Sequence, residues 1–160
     1  MIPDVNKLIS ETNLEARPYQ HRLIEKALHC YLDKNFRSVM IEAPCGAGKT
    51  SVCLCIIRGL QQVYPDLEVG WFSMRRNLLL QAERENKDKN INARVHFISM
   101  FEKSLPPQLI HGSENAAARR MVLIDECLPG DTLVEVIHNN EVIKLPLVDV
   151  VENGMGTHVL

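Results

Sequence analysis

The chain has 160 residues, with 46% apolar and 24% charged content, which is the range of a globular protein with a real core. Its net charge of −2 does not advertise a polyanionic partner, and no apolar run is long enough to span a membrane. Five cysteines (Cys30, Cys45, Cys53, Cys55, Cys127) form no Cys-x-x-Cys pair, which excludes a disulfide framework or a zinc site as the organising principle. No signal peptide, internal repeat or low-complexity segment is evident, so a reducing cytosol is expected.

In chain order, apolar positions Leu23, Ile24, Ala27, Leu28 and Tyr31 recur at helical spacing after Pro18. "RSVMIEAP" predicts a short buried strand. "GAGKTSVCLCIIRGLQQVYP" predicts a glycine-rich turn and a helix stopped by Pro65. "LEVGWFSM" predicts a second strand, "RRNLLLQAERENKDKN" an amphipathic helix, and "RVHFISMF" a third strand. "PPQLIHGSENAAARR" contains a loop, and "MVLIDE" predicts a fourth strand, apolar enough to be buried on both faces. Strands alternating with helices imply an α/β fold, with a parallel sheet and helices on both faces.

The character changes after Glu126. Residues 1–126 carry 17 Lys and Arg against 15 Asp and Glu, whereas residues 127–160 carry 1 against 5, and all eight aromatic residues precede Cys127. "TLVEVIH", Asn139-Asn140 and "EVIKLPL" predict two strands around a tight turn, because Asn tolerates the left-handed conformation that such a turn needs. "MGTHVL" could add a strand. Two pieces are therefore expected, 1–126 and 127–160.

"APCGAGKTS" has the residues of a phosphate-binding loop. Gly46 and Gly48 let the backbone curl so that several N–H groups face one anion, and the next helix adds its N-terminal dipole. Lys49 would reach the β- and γ-phosphates of ATP, and the Thr50 hydroxyl would bind Mg²⁺. Asp125, ending "MVLIDE", would hold the same Mg²⁺ through water, and Glu126 would orient and deprotonate the attacking water.

These motifs resemble the first motor domain of superfamily 2 helicases, the DEAD/DEAH-box and related group, over most of residues 14–126. "APCGAGKT" matches motif I in its helicase form, opening with Ala43 rather than glycine, and "LIDEC" matches motif II. The resemblance implies a partial RecA-like fold, ATP with Mg²⁺, and a nucleic-acid partner, DNA ahead of RNA. It makes Gln20 of "RPYQ" the adenine-recognition glutamine, with Arg17 nearby. It also makes Arg75, Arg76 and Ser99 candidate contacts to the nucleic-acid backbone. Arg75 and Arg76 are equally well read as a surface pair at a helix start, and Ser99 as an ordinary strand residue. Leu128 stands where motif II should continue to His or Asp. The family's Ser-Ala-Thr motif and second motor domain are not within these residues.

"CLPGDTLVEV" resembles the N-terminal block of inteins, through Cys127, Leu128, Asp131, Thr132, Leu133 and Val134. That resemblance implies a β-rich, Hint-type fragment over 127–160, with the Cys127 thiol attacking the Glu126 carbonyl. It further implies a partner chain carrying the complementary intein and helicase half, in a split intein or beside a truncated gene, in bacterial or virus-infected cytosol. The intein Thr-x-x-His element is not matched by Thr157-His158, and His138 reads as a strand surface residue. Three alternatives stay open: a divergent continuation of the motor domain, a stand-alone ATPase, and a nucleic-acid-binding module with a vestigial loop.

Overall fold

A computed structural model describes residues 2–43, 46–111, 119–125, 133–138 and 141–146, the last two segments as backbone. The chain divides into two compact units, Met1–Asp125 and Glu126–Leu160.

In the first unit, α1 (Val5–Ser10) starts at Asp4, whose carboxylate accepts from the N–H groups of Asn6 at 2.9 Å and Lys7 at 3.4 Å. This short helix was not expected, because few residues carry its pattern. It forms because Val5, Leu8 and Ile9 all become buried. Helix α2 (Pro18–Leu32) begins with proline, whose fixed φ suits a first helical turn, and buries Ile24, Ala27 and Leu28. Helix α3 (Lys49–Val63) is the most enclosed, with Val52, Leu54, Cys55, Ile56, Ile57 and Leu60 buried. Helix α4 (Arg76–Asp88) is amphipathic and buries only Leu79 and Ala82.

The strands β1 (Glu68–Ser73), β2 (His96–Ser99) and β3 (Arg120–Ile124) form a parallel sheet in the order β2-β1-β3. Ser73 pairs in register with Ser99, and Phe72 with both Ile98 and Ile124. Val69 and Trp71 join one core cluster with residues of α1 to α4. Gly70 points to the other face, where α5 (Pro107–His111) packs so closely that a Cβ on Gly70 would stand 2.9 Å from Leu109 Cδ1. Helices therefore flank both faces of β1, as expected. Burial of each large apolar side chain in this core contributes about 1.5–3 kcal/mol.

Two expectations are corrected. Residues 38–43 are not a strand: they run without a ladder partner among the described residues, and Val39 and Ile41 gain partial cover from the core instead. Strand β3 is not buried on both faces, since Val122 and Ile124 are 62% and 51% exposed while Met121 and Leu123 pack on the core. It pairs only with β1 among the described residues, so its second face lacks the cover a central parallel strand receives. The segment 106–120, expected to contain a loop, also contains α5, and its residues 112–118 lie outside the described ones.

In the second unit, β4 (Leu133–His138) and β5 (Glu141–Pro146) pair antiparallel, from Leu133 opposite Pro146 to His138 opposite Glu141. The hairpin expected from the Val- and Ile-rich runs is present, closed by two residues of chain. The strand suggested for 155–160 lies outside the described residues.

Candidate nucleotide site and strand-end surface

The loop before α3 turns on two glycines with left-handed backbone, Gly46 at φ +78° and Gly48 at φ +72°. L-residues with a Cβ disfavour that region by about 1–2 kcal/mol, so the sequence Gly-Ala-Gly is what permits the curl. Gly48 caps α3 directly, which places Lys49 and Thr50 in the helix's first turn. The ammonium of Lys49 donates to the Ala43 carbonyl at 2.7 Å and so closes the loop on itself.

Gln20 is bound to this loop. Its Nε2 donates to the Ala47 carbonyl at 2.9 Å, and its Oε1 accepts from the Arg17 N–H at 2.8 Å, the return half of a capping box at the start of α2. Tyr19 Oη donates to the same Ala47 carbonyl, also at 2.9 Å. "RPYQ" is thereby brought against "GAGK", and a cleft of about 390 Å³ opens there, lined by Asn13, Leu14, Arg17, Tyr19, Gln20, Gly48 and Lys89 among others. A second cleft of about 260 Å³ lies beside α1 and α2, near Asp4, His21, Glu25 and His29. Among the described residues, no three or more His, Cys, Asp or Glu side chains are grouped so as to hold a metal ion.

Lys89 enters this site through a network that sequence reasoning missed. Its ammonium donates to Ser51 Oγ at 2.7 Å and to Glu85 Oε2 at 3.2 Å, and Ser51 Oγ donates to Glu85 Oε2 at 2.6 Å. Ser51 is fully buried, one residue after Thr50, so the network pins the first turn of α3 to the end of α4. Burial pushes Glu85 up, but the Ser51 hydrogen bond and the Lys89 charge outweigh it and hold the carboxyl below its ordinary value. The Glu85/Lys89 spacing of four was readable as a helix pair; its third member, on another helix, was not.

Asp125 follows β3, and its N–H donates to the Phe72 carbonyl at 3.0 Å, which fixes it at the C-terminal end of the sheet. Asp125 and Lys49 both act electrostatically on the Cys53 thiol, one turn into α3. Both groups therefore lie within electrostatic reach of that thiol. Burial first, and Asp125 second, push Cys53 up to about 12, while burial pushes Cys55 up to about 11. Glu126 and Cys127 lie outside the described residues.

The candidate nucleic-acid residues sit at neighbouring strand ends. Ser73 is buried, and its Oγ accepts from the Arg75 N–H at 3.2 Å; Arg75 and Arg76 are exposed at the start of α4. Ser99 is half-buried, and its Oγ accepts from the Phe101 N–H at 3.3 Å.

A glycine-rich turn with a lysine at a helix start, closed against an upstream glutamine beside a parallel sheet, has the form of a P-loop in an α/β domain. The family model of the type III restriction enzyme, res subunit, matches residues 13–124, which is 112 of the 160. The chain belongs to this family, and its first unit is a helicase-like, ATP-dependent nucleic-acid motor domain. No curated protein and no solved structure matches it significantly. Among the described residues, no helix is long and apolar enough to cross a membrane.

Proposed function

We propose that residues 1–126 are the nucleotide-binding part of a DNA-acting superfamily 2 motor, interrupted after Glu126 by the start of an intein. The observation that carries the motor half is the closed arrangement of Gln20, Ala47, Gly48 and Lys49. ATP would displace Lys49 from the Ala43 carbonyl, so that its ammonium meets the β- and γ-phosphates while the loop N–H groups cradle them. Thr50 and Asp125 would hold Mg²⁺, which neutralises charge on the phosphates. Gln20 would read adenine with Arg17 beside it, and Glu126 would take a proton from the attacking water. The restriction-enzyme relatives favour DNA as the substrate. The 160-residue chain should bind a fluorescent ATP analogue in a Mg²⁺-dependent way, and Lys49→Ala should weaken that binding at least about tenfold, the scale of a lost charge-assisted hydrogen bond. Equal binding by the two proteins would remove the motor reading.

A second activity is proposed for Cys127. Supporting it are the intein-like run from Cys127 to Val134, the family match stopping at residue 124, and the unit boundary after Asp125. The Cys127 thiolate would attack the Glu126 carbonyl carbon; the C–N bond breaks, the nitrogen leaves protonated as the new Cys127 amine, and a thioester remains. A nucleophile at the far junction would then take the acyl group. The motor would regain its motif II only after the insertion left. Mixing the chain with a complementary intein half fused to a reporter should ligate the reporter after Glu126. Ligation that persists in Cys127→Ala, or that never occurs with the unaltered chain, would reject the splicing claim.

A further inference from the structure

The ends of β1 and β2 repeat one device. Each closes on Ser-Met-X: Ser73-Met74-Arg75 and Ser99-Met100-Phe101. In each, the serine Oγ accepts the N–H of residue X, at 3.2 Å for Arg75 and 3.3 Å for Phe101. The serines are register partners, and the Met100 N–H donates to the Ser73 carbonyl at 3.1 Å, so the match extends one residue past the strands. Arg75 and Phe101 therefore hold equivalent sequence positions just past the ends of two neighbouring strands, which lie about 4.8 Å apart where they pair.

This surface is apolar where it should not be. Phe101 is 74% exposed, and Met74, Met100 and Leu105 are 42%, 37% and 43% exposed, and the same two strand-end segments carry exposed Arg75, Arg76 and Lys103 along with the exposed acid Glu102. Cations on the same strand-end segments as an exposed aromatic ring complement a ligand that is anionic along its length and presents planar apolar faces. Single-stranded nucleic acid repeats both features at every unit.

We propose that Phe101 is a base-stacking residue, and that the paired strand ends grip one stretch of single-stranded nucleic acid by phosphate at Arg75 and Arg76 and by base face at Phe101. This rests on the nucleic-acid motor reading above and adds a contact to the base that a backbone grip lacks. Ser99 then acts as a positioning residue: its hydroxyl fixes the turn that projects the ring. Stacking is sequence-tolerant, because every base has a π-face, so the site would select unpaired over paired strands without selecting sequence.

The test is fluorescence anisotropy of the full chain with a labelled oligothymidylate and with an abasic oligomer of equal phosphate count. Phe101→Ala should weaken oligothymidylate binding between about 5-fold and about 150-fold, matching the 1–3 kcal/mol of one stacked base. Phe101→Trp should restore it, and the abasic oligomer should bind the unaltered chain and Phe101→Ala equally. Because the ring is mostly exposed, the Phe101→Ala melting temperature should stay within about 1 °C of the unaltered chain. Oligothymidylate affinity unchanged in Phe101→Ala would overturn the stacking role while leaving the motor reading intact. Self-association abolished by Phe101→Ala, with no change in oligomer binding, would assign the patch to protein contact and overturn it equally. Failure of the unaltered chain to bind either oligomer would remove both readings.

Discussion

Gln20 and Gly48 are locked together: a Cβ placed on Gly48 would stand 2.5 Å from Gln20 Nε2, the nitrogen that donates to Ala47. The glycine serves the loop twice, by adopting φ +72° and by leaving room for the glutamine. Gly48→Ala should therefore cost about 1–2 kcal/mol of stability from the left-handed backbone alone. It should also cost nucleotide affinity, because the amide must leave the cleft. A control at Gly46, which shares the left-handed φ but has nothing within 4 Å of its Cβ, separates the two effects. Gly46→Ala should lose similar stability but leave Gln20 bound. Calorimetric unfolding beside nucleotide titration of both variants checks this.

The Ala47 carbonyl accepts from both Tyr19 and Gln20, so the two donors are partly redundant for the loop. Tyr19→Phe should cost about 0.5–1.5 kcal/mol, the net worth of one hydrogen bond, and affect nucleotide affinity only slightly. Gln20→Ala also strips the Arg17 N–H of its acceptor at the start of α2, and should cost about 1–3 kcal/mol. If Tyr19→Phe proved the more damaging of the two, Gln20 would not be the organiser of the loop.

How far the sequence reveals this site is clear from the same residues. "APCGAGKT" and "MVLIDE" are local signals, since a glycine's φ and a strand-end acid depend on neighbours in the chain. The ladder partners of a strand are not local. Residues 38–43 have the short apolar run of a buried strand, yet hydrogen bonding needs a neighbour that lies elsewhere in sequence, and none is present among the described residues. The exposure of Val122 and Ile124 has the same origin: an apolar run fits a buried strand, but only tertiary cover buries it. Tyr19, Ser51 and Lys89 were missed because each draws its role from a contact 27 or more positions away, such as Tyr19 to Ala47 and Ser51 to Glu85.

Glu85 makes the link between α3 and α4 sensitive to acid. A carboxyl held below its ordinary value of 4.5 binds fewer protons when folded than when unfolded, so its contribution to stability is fully present above about pH 4.5. That contribution is lost as the pH falls through the lowered folded value. Glu85→Gln should therefore melt lower at pH 7 and show a shallower loss of melting temperature on acidification. Identical acid slopes for the two proteins would mean that Glu85 is not held down by Ser51 and Lys89.

Trp71 is fully buried with its ring 5.9 Å from that of Phe97, yet its Nε1 has no hydrogen-bond partner among the described residues. An unpaired buried N–H costs about 1–3 kcal/mol, which offsets part of what the large ring contributes. Trp71→Phe removes the orphan donor along with some volume and should cost less than about 2 kcal/mol, whereas Trp71→Ala should cost about 3–5 kcal/mol. Urea unfolding of the two variants distinguishes them, and a Trp71→Phe loss as large as that of Trp71→Ala would show that the indole nitrogen is satisfied.

The alkaline side of the stability curve is set by the thiols of α3. Cys53 and Cys55 titrate near 12 and 11 in the folded chain against an ordinary value of 9.0, chiefly because burial penalises the thiolate, with Asp125 adding to the effect at Cys53. A raised folded value means that the folded chain holds the proton longer than the unfolded chain does. The stabilisation is therefore complete below about pH 9 and declines as the pH rises toward the folded values. Burial raises Tyr31 in the same direction, so Tyr31→Phe serves as the control for its share of the limb. Melting temperature should be level near pH 8 and fall from about pH 9 upward. Cys55→Ala should start lower, because it opens a cavity in the core, and then fall less steeply. At pH 8, iodoacetamide followed by peptide mapping should label Cys30 well before Cys53 or Cys55, since so few of the latter two exist as thiolate. Rapid labelling of Cys53 would instead show that the helix turn carrying it opens to solvent.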